Sequence, residues 1–192
     1  MARAFSEDEK SEIKKKLIEE CERCWSKYGY KKTNIGEICR NVGISKGAFY
    51  IFYESKEMLF CDVMDQLQSR LIVYWKDALT EHATKYDFAT VLKRIYREYD
   101  AGNWIINFSS PDFVALKNRL PKDRLEQHKL NSKINFNKIV ERSHLEFKIE
   151  EDKAVGILNA LLSLLERKDN YGYDHYEIFC FVLDNIIEKI FV

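Results

Sequence analysis

The chain is poor in the residues that interrupt helices. Of its 192 residues only 2 are proline and 7 are glycine. That scarcity excludes collagen-like, linker-rich and turn-dense β architectures. Charge of one sign is also missing in excess: 31 basic residues meet 31 acidic ones, so the total alone does not mark a nucleic-acid binder. No run of 18 apolar residues occurs, and no helix is expected to span a membrane. The N-terminal residues Arg3, Glu7, Asp8, Glu9 and Lys10 have no apolar stretch behind them, which does not fit a signal peptide. Five cysteines are an odd number, and reduced thiols in a cytoplasmic protein are the simpler reading. Cys21 and Cys24 form a C-x-x-C, but no second pair or spaced histidines accompany it: His82, His128, His144 and His175 are scattered. Core packing is therefore expected for both thiols, with no metal. The sequence offers neither a Gly-rich phosphate loop nor a defensible Ser/His/Asp set. No cofactor is expected, and the chain does not read as an enzyme.

What is present is helical periodicity from end to end. Ile13, Leu17, Cys21, Cys24, Trp25 and Tyr28 recur at steps of three and four, which predicts a first helix over 7–28, stopped by Gly29. Asn34, with Glu37 three residues on, predicts a capping box opening a second helix that buries Ile35, Ile38 and Val42. A long fourth helix is predicted over 56–83, with Phe60, Val63, Met64, Leu67, Leu71, Trp75 and Leu79 as its stripe. Further helices are predicted over 88–108, 112–119, 122–147, 151–168 and 174–191. Pro111 and Pro121 stand at helix starts, where proline is tolerated. About nine helices and no strand make an all-α chain.

The stretch from Thr33 to Glu57 carries the one recognisable chemistry. Two short helices meet at Gly43, which permits the positive φ of a tight turn. Ser45 can cap a third helix over 46–52, and Ser55 a fourth. This is the layout of a helix-turn-helix, whose second helix fits a DNA major groove. The charge distribution agrees. From Lys10 to Lys56 there are 11 basic and 6 acidic residues, against 19 and 21 from Cys61 onward. Lys46 is the candidate for a guanine contact and Ala48 for a thymine methyl. Gly47, lacking a Cβ, lets the helix backbone approach the duplex.

The last two helices are apolar on more than one stripe. A helix with two apolar faces must bury both, and a second copy of the chain is the simplest cover for the outer one. Leu158, Leu161, Leu162, Leu165, Phe179, Val182 and Ile186 are the candidates for a homodimer interface.

The segment Gly43-Ile44-Ser45-Lys46-Gly47-Ala48-Phe49-Tyr50, then Phe52-Tyr53 and Ser55-Lys56-Glu57, resembles the DNA-binding domain of TetR-type transcriptional regulators. The resemblance covers about residues 10 to 60. It implies that Thr33 lies near the DNA backbone, that Ser45 and Lys46 open the recognition helix, and that Tyr50 and Lys56 contact phosphates. The sequence departs from the family pattern at Ile51 and Phe52, where polar residues are frequent, and at Tyr53, usually phenylalanine. Ile51 near the groove would reduce the hydrogen bonds available to bases. The resemblance also implies a pocket for a small apolar or aromatic effector in the following helices, for which Trp75, Tyr99, Asn103, Trp104, Phe108 and Phe136 are the candidates.

Together these readings divide the chain into a DNA-binding head, residues 1–55, and a helical effector-binding and dimerisation domain, residues 56–192. The expected function is ligand-responsive regulation of transcription, most simply repression, by a cytoplasmic homodimer on double-stranded DNA. A regulator controlled by a protein partner, or without a ligand, is the alternative. An enzyme built on a helical bundle is a remote one.

Overall fold

A computed structural model describes residues 5–80, 82–100, 111–142, 144–162 and 173–192; the side chains at 98–100, 132–137, 139, 142 and 162 are outside the description. Nine helices occur among these residues: α1 (Glu7–Lys32), α2 (Ile35–Val42), α3 (Lys46–Phe52), α4 (Lys56–Ala78), α5 (Lys85–Asp100), α6 (Pro111–Lys117), α7 (Lys122–Arg142), α8 (Glu151–Leu162) and α9 (His175–Ile190). The only extended pairing among the described residues is an isolated antiparallel bridge between Phe147 and Phe191. The protein is all-α, as its periodicity predicts. None of the described helices is long and apolar enough to cross a membrane.

The contacts divide the chain into two compact units, Met1–Ser69 with Ser110–His128, and Arg70–Ser109 with Lys129–Val192. The first unit thus extends beyond the head residues into α4 and takes in α6. Its core is built from Leu17, Cys21, Cys24 and Trp25 of α1, Ile38 and Cys39 of α2, Phe49 of α3, and Leu59, Phe60, Val63, Met64 and Leu67 of α4. Phe113 and Leu116 of α6 are buried too, and the Phe113 ring stacks 6.5 Å from Trp25. Large apolar side chains at helical spacing supply the burial that holds short helices such as α2 and α3 in place, since a helix of seven or eight residues is not stable alone.

The second unit packs α5, α8 and α9 around Phe88, Leu92, Tyr96, Leu158, Phe179, Leu183 and Ile187. The Tyr96 and Phe179 rings stack at 3.9 Å, a geometry that adds to area burial.

Several helix boundaries differ from the sequence expectation, among them that of α1, which resumes past Gly29 and runs to Lys32. α4 ends at Ala78 rather than near 83, because Thr84 and Asp87 form a capping box that opens α5 at Lys85: the Thr84 N–H donates to Asp87 Oδ2 at 2.8 Å and the Asp87 N–H to Thr84 Oγ1 at 3.3 Å. α7 stops at Arg142 rather than near 147. Past it, the Lys148 N–H donates to the Ile190 carbonyl and the Val192 N–H to the Glu146 carbonyl, so residues 146–148 pair with the C-terminal residues instead of continuing the helix. At the start of α2, Asn34 Oδ1 accepts from the Gly36 N–H at 2.7 Å. The reciprocal box is found at Ser6 and Glu9 instead.

Candidate nucleic-acid interface

The reading element is assembled from local rules. α2 ends at Gly43, whose φ of 83° places it in the left-handed region. The Ile44 N–H bonds the Cys39 carbonyl and the Gly43 N–H the Arg40 carbonyl, a Schellman closure that only a residue free to take positive φ makes cheaply. An added Cβ at Gly43 would meet nothing within 4 Å, so the glycine is required by backbone conformation and not by space. Two residues later Ser45 caps α3, its Oγ accepting from the Ala48 N–H at 3.0 Å. The observed bounds of α3, Lys46–Phe52, are those read from the sequence.

Phe49 anchors α3 from below, fully buried, with its ring 5.8 Å from Tyr53. Successive helical residues are turned by about 100°, and burying Phe49 therefore turns Gly47, Tyr50 and Ile51 outward, with Lys46, three residues before Phe49, at the edge of that face. Ser45, Lys46 and Gly47 are exposed and Ala48 half-buried, while Tyr50 is 53% and Ile51 63% exposed. Gly47 lies at the middle of this open face. Lys46 and Tyr50, one turn apart, flank it on one side; Ile51 and Ala48 flank it on the other.

Thr33 and Lys56 lie elsewhere. Thr33 is buried and its hydroxyl donates to the Gly29 carbonyl at 2.7 Å. Lys56 Nζ donates to the Tyr30 carbonyl at 2.8 Å and the Thr33 carbonyl at 3.1 Å, and sits 4.1 Å from the centre of the Tyr30 ring. Partial burial pulls its pKa below the ordinary lysine value. An ammonium already bonded to two carbonyls and lying over an aromatic ring serves to fix the end of α1 against α4, and Thr33 closes the same corner. The Tyr30 hydroxyl donates to Glu57 Oε1; burial and this bond raise the Tyr30 pKa to about 12. Asp112 at the start of α6 accepts the backbone N–H groups of Tyr30 and Lys31. No sequence signal announced that last partnership, which joins residues about 80 positions apart.

A second polar link ties α2 to α1. Glu20 receives a two-pronged bond from Arg23, at 2.8 and 2.6 Å, and one from Asn41 Nδ2 at 2.6 Å. The Arg23 bond, and behind it Asn41, overcome partial burial and hold the Glu20 carboxyl at about 2, against an ordinary 4.5. A carboxyl whose folded pKa is depressed contributes stability above its unfolded pKa and loses it as pH falls. The stability of the first unit is therefore expected to decline between pH 4.5 and 2, and Glu20→Gln to flatten that decline in urea titrations. An unchanged slope in the variant would contradict the link. The Cys24 thiol joins this link, donating to Glu20 Oε1 at 3.4 Å. Cys21 and Cys24 are both buried, and burial raises both thiols, Cys24 to about 11.

The remaining candidates are placed in part. Trp75 is buried against Phe88, ring centres 4.9 Å apart. The side chains of Tyr99 on α5 and Phe136 on α7 lie outside the description, and Asn103, Trp104 and Phe108 lie outside the described residues altogether. Among the residues expected at a dimer interface, Leu158, Leu161 and Phe179 are buried in the chain's own core, with Val182 and Ile186 partly buried against it. The first three are thus unavailable to a partner. Leu165 lies outside the described residues and Leu162 is described in backbone only. The exposed apolar residue of α9 is Phe181, at 71%.

A capped helix, a left-handed glycine turn and a second helix with one face held open define a helix-turn-helix DNA-binding protein. Residues 17–63 match the family model described as bacterial regulatory proteins, tetR family, so this segment is similar to the DNA-binding domain of that family. Over 191 residues it is 24% identical to the uncharacterized HTH-type transcriptional regulator YerO of Bacillus subtilis (strain 168), covering 94% of this chain and 65% of that protein. The chain thus spans just under two thirds of that relative's length. Solved structures share the fold. The fatty acid degradation regulator FadR from Bacillus halodurans superposes with a TM-score of 0.64 at 12% identity, over 96% of each chain. The transcriptional regulator FadR from Bacillus subtilis, in complex with stearoyl-CoA, does so with a TM-score of 0.57 at 16% identity, over 92% of this chain and 98% of that one.

Proposed function

We propose that the protein is a cytoplasmic, ligand-responsive repressor that binds a near-palindromic operator as a homodimer. The observation that carries this reading is the open face of α3, where Gly47, Tyr50 and Ile51 are held clear of the core by Phe49 and Lys46 is exposed at the edge. Ser45, Lys46 and Tyr50 supply the polar contacts to phosphates and base edges, and Gly47 the close approach. Thr33 and Lys56 support the head from behind. Residues 1–55 act as the DNA-binding head and 56–192 as the regulatory and dimerisation part, with no enzymatic activity assigned to either.

The apolar face of α9 around Phe181 is the proposed seam between the two copies, with Val182 and Ile186 at its edge; Leu162 and Leu165 remain proposed contacts. A two-fold pair presents two α3 helices about 34 Å apart, one turn of duplex, which is why the operator is expected to be a near-palindrome. The effector is a small apolar or aromatic compound, for which Trp75, Tyr99, Asn103, Trp104, Phe108 and Phe136 remain the proposed contacts. Such an effector releases DNA only by binding better to the conformer whose heads are wrongly spaced. Moving from mostly bound to mostly free needs a differential affinity on the order of 5 kcal/mol.

Lys46→Ala tests the reading. It is expected to weaken binding to the preferred duplex by about tenfold and binding to random DNA much less, because a base contact carries about 1–3 kcal/mol of discrimination. Gel shifts on both duplexes measure it. Equal losses on the two would remove Lys46 from the base-reading set.

A further inference from the structure

We infer that Ile51 is a specificity-determining residue that selects thymine in the operator half-site by packing on its C5-methyl group. The inference rests on the DNA-reading role proposed for α3 and adds the chemical identity of the base read by its apolar flank.

Ile51 is 63% exposed on a seven-residue helix. The fold gains little from it there. A β-branched residue is a poorer helix former than alanine, and its side chain is left largely in water. Its neighbours on the open face give that exposure a direction. Ile51 lies one turn beyond Gly47, the residue at the middle of the face, so both are on one side of the helix. α3 is about 10 Å long at 1.5 Å per residue, and a major groove about 12 Å wide admits it whole. When Gly47 sits deep, Ile51 is therefore still within the groove. The half-buried Ala48 extends the same flank with a methyl group.

The groove itself narrows the choice of base. Guanine and adenine edges offer N7 with O6 or N6, and cytosine offers its N4 amine. Thymine alone adds an apolar group, the C5-methyl. Covering a polar edge with isoleucine strips its water and gives no hydrogen bond in return, which is unfavourable. Covering the methyl removes apolar surface from water on both partners. Ile51 therefore favours thymine twice, by attraction to its methyl and by penalty against the other three bases. The polar flank, Lys46 with Tyr50, is free to serve a different base pair or the backbone, so one short helix reads with two chemistries.

The test uses the full chain and a duplex selected from a randomised library. Thymines of the selected half-site are replaced one at a time by deoxyuridine, which removes only the methyl and keeps pairing. At one or two positions the replacement is expected to weaken binding by about fourfold, the value of one buried methyl group. Ile51→Ala is expected to lose a similar factor on the thymine duplex and to become indifferent to deoxyuridine at that position, whereas Ile51→Val retains part of the response. Deoxyuridine tolerated at every position, or a penalty that persists in full in Ile51→Ala, would overturn the inference and leave DNA binding by α3 intact. A library that yields no preferred duplex would overturn the DNA-reading role as well.

Discussion

Replacing Gly29 with alanine is expected to destabilise the first unit by about 3 kcal/mol. Gly29 interrupts α1 with φ 76° and ψ 171°. That combination is accessible almost only to glycine, and another residue forced into it costs about 1–3 kcal/mol. The space is also closed. A Cβ would lie 2.7 Å from Asp112 Oδ2 and 3.1 Å from its Cγ. The aspartate could swing away, but it would then abandon the Tyr30 and Lys31 N–H groups it accepts. Leaving such donors unsatisfied costs about 1–3 kcal/mol more where they are shielded from water. The two penalties share one residue, and a double-mutant cycle separates them. In an Asp112→Ala background the steric part vanishes, and Gly29→Ala is expected to cost measurably less than in the wild type. Urea unfolding followed by tryptophan fluorescence in a Trp75→Phe, Trp104→Phe background reports on the unit, because the Trp25 ring is buried with its centre 4.6 Å from that of Phe60. A cost below about 0.5 kcal/mol, the scatter of ordinary surface substitutions, would show that the kink relaxes.

That prediction marks where local sequence reasoning stops. Gly29 was legible as a helix stop, Gly43 as a turn and Ser45 as a cap, because each is decided within four or five residues of chain. The stripe of α4 was legible for the same reason, and Phe60, Val63, Met64 and Leu67 are all buried. Asp112 could not be read as the partner of Tyr30, since the sequence around it says only that a helix starts after Pro111. The two carbonyl partners of Lys56 were illegible for the same reason. Its chain neighbours suit a solvated helix start, and only the tertiary arrangement puts two backbone carbonyls within reach of its ammonium. In α8 and α9 the difficulty is of another kind. Period 3.6 announces two apolar stripes but does not say which one the protein itself consumes. Leu158 and Phe179 belong to the inner stripe and Phe181 to the outer, a distinction made by the packing of α5 rather than by any residue in α9. The reading face of α3 was legible as residues but not as an arrangement of polar and apolar flanks about Gly47. That arrangement follows from which way Phe49 is buried.

Gly47→Ala is expected to stabilise the fold and abolish most sequence-specific DNA binding. The two effects have opposite sign because the protein and the duplex see different sides of the same Cα. Within the protein an added Cβ meets only Ser45 Oγ, at 3.8 Å, an ordinary contact. Alanine is a better helix former than glycine by up to about 1 kcal/mol, so the unfolding temperature should rise by a few degrees. On the outer side the methyl stands at the middle of the face turned to DNA. It holds the α3 backbone away from the groove floor and lengthens every contact made by Lys46, Tyr50 and Ile51 at once. Losing one base contact costs about 1–3 kcal/mol, and loosening several together is expected to weaken specific binding by at least a hundredfold. Non-specific binding, which depends on charge rather than on approach to base edges, should change much less. Thermal denaturation and gel shifts on the same preparation measure both arms. A variant that is stabilised and still binds its preferred duplex at full strength would show that α3 does not approach DNA through Gly47. A variant that is destabilised would show instead that the glycine serves the fold. Only opposite movement of the two measurements fits a helix whose outer face is shaped for a partner that the chain itself does not contain.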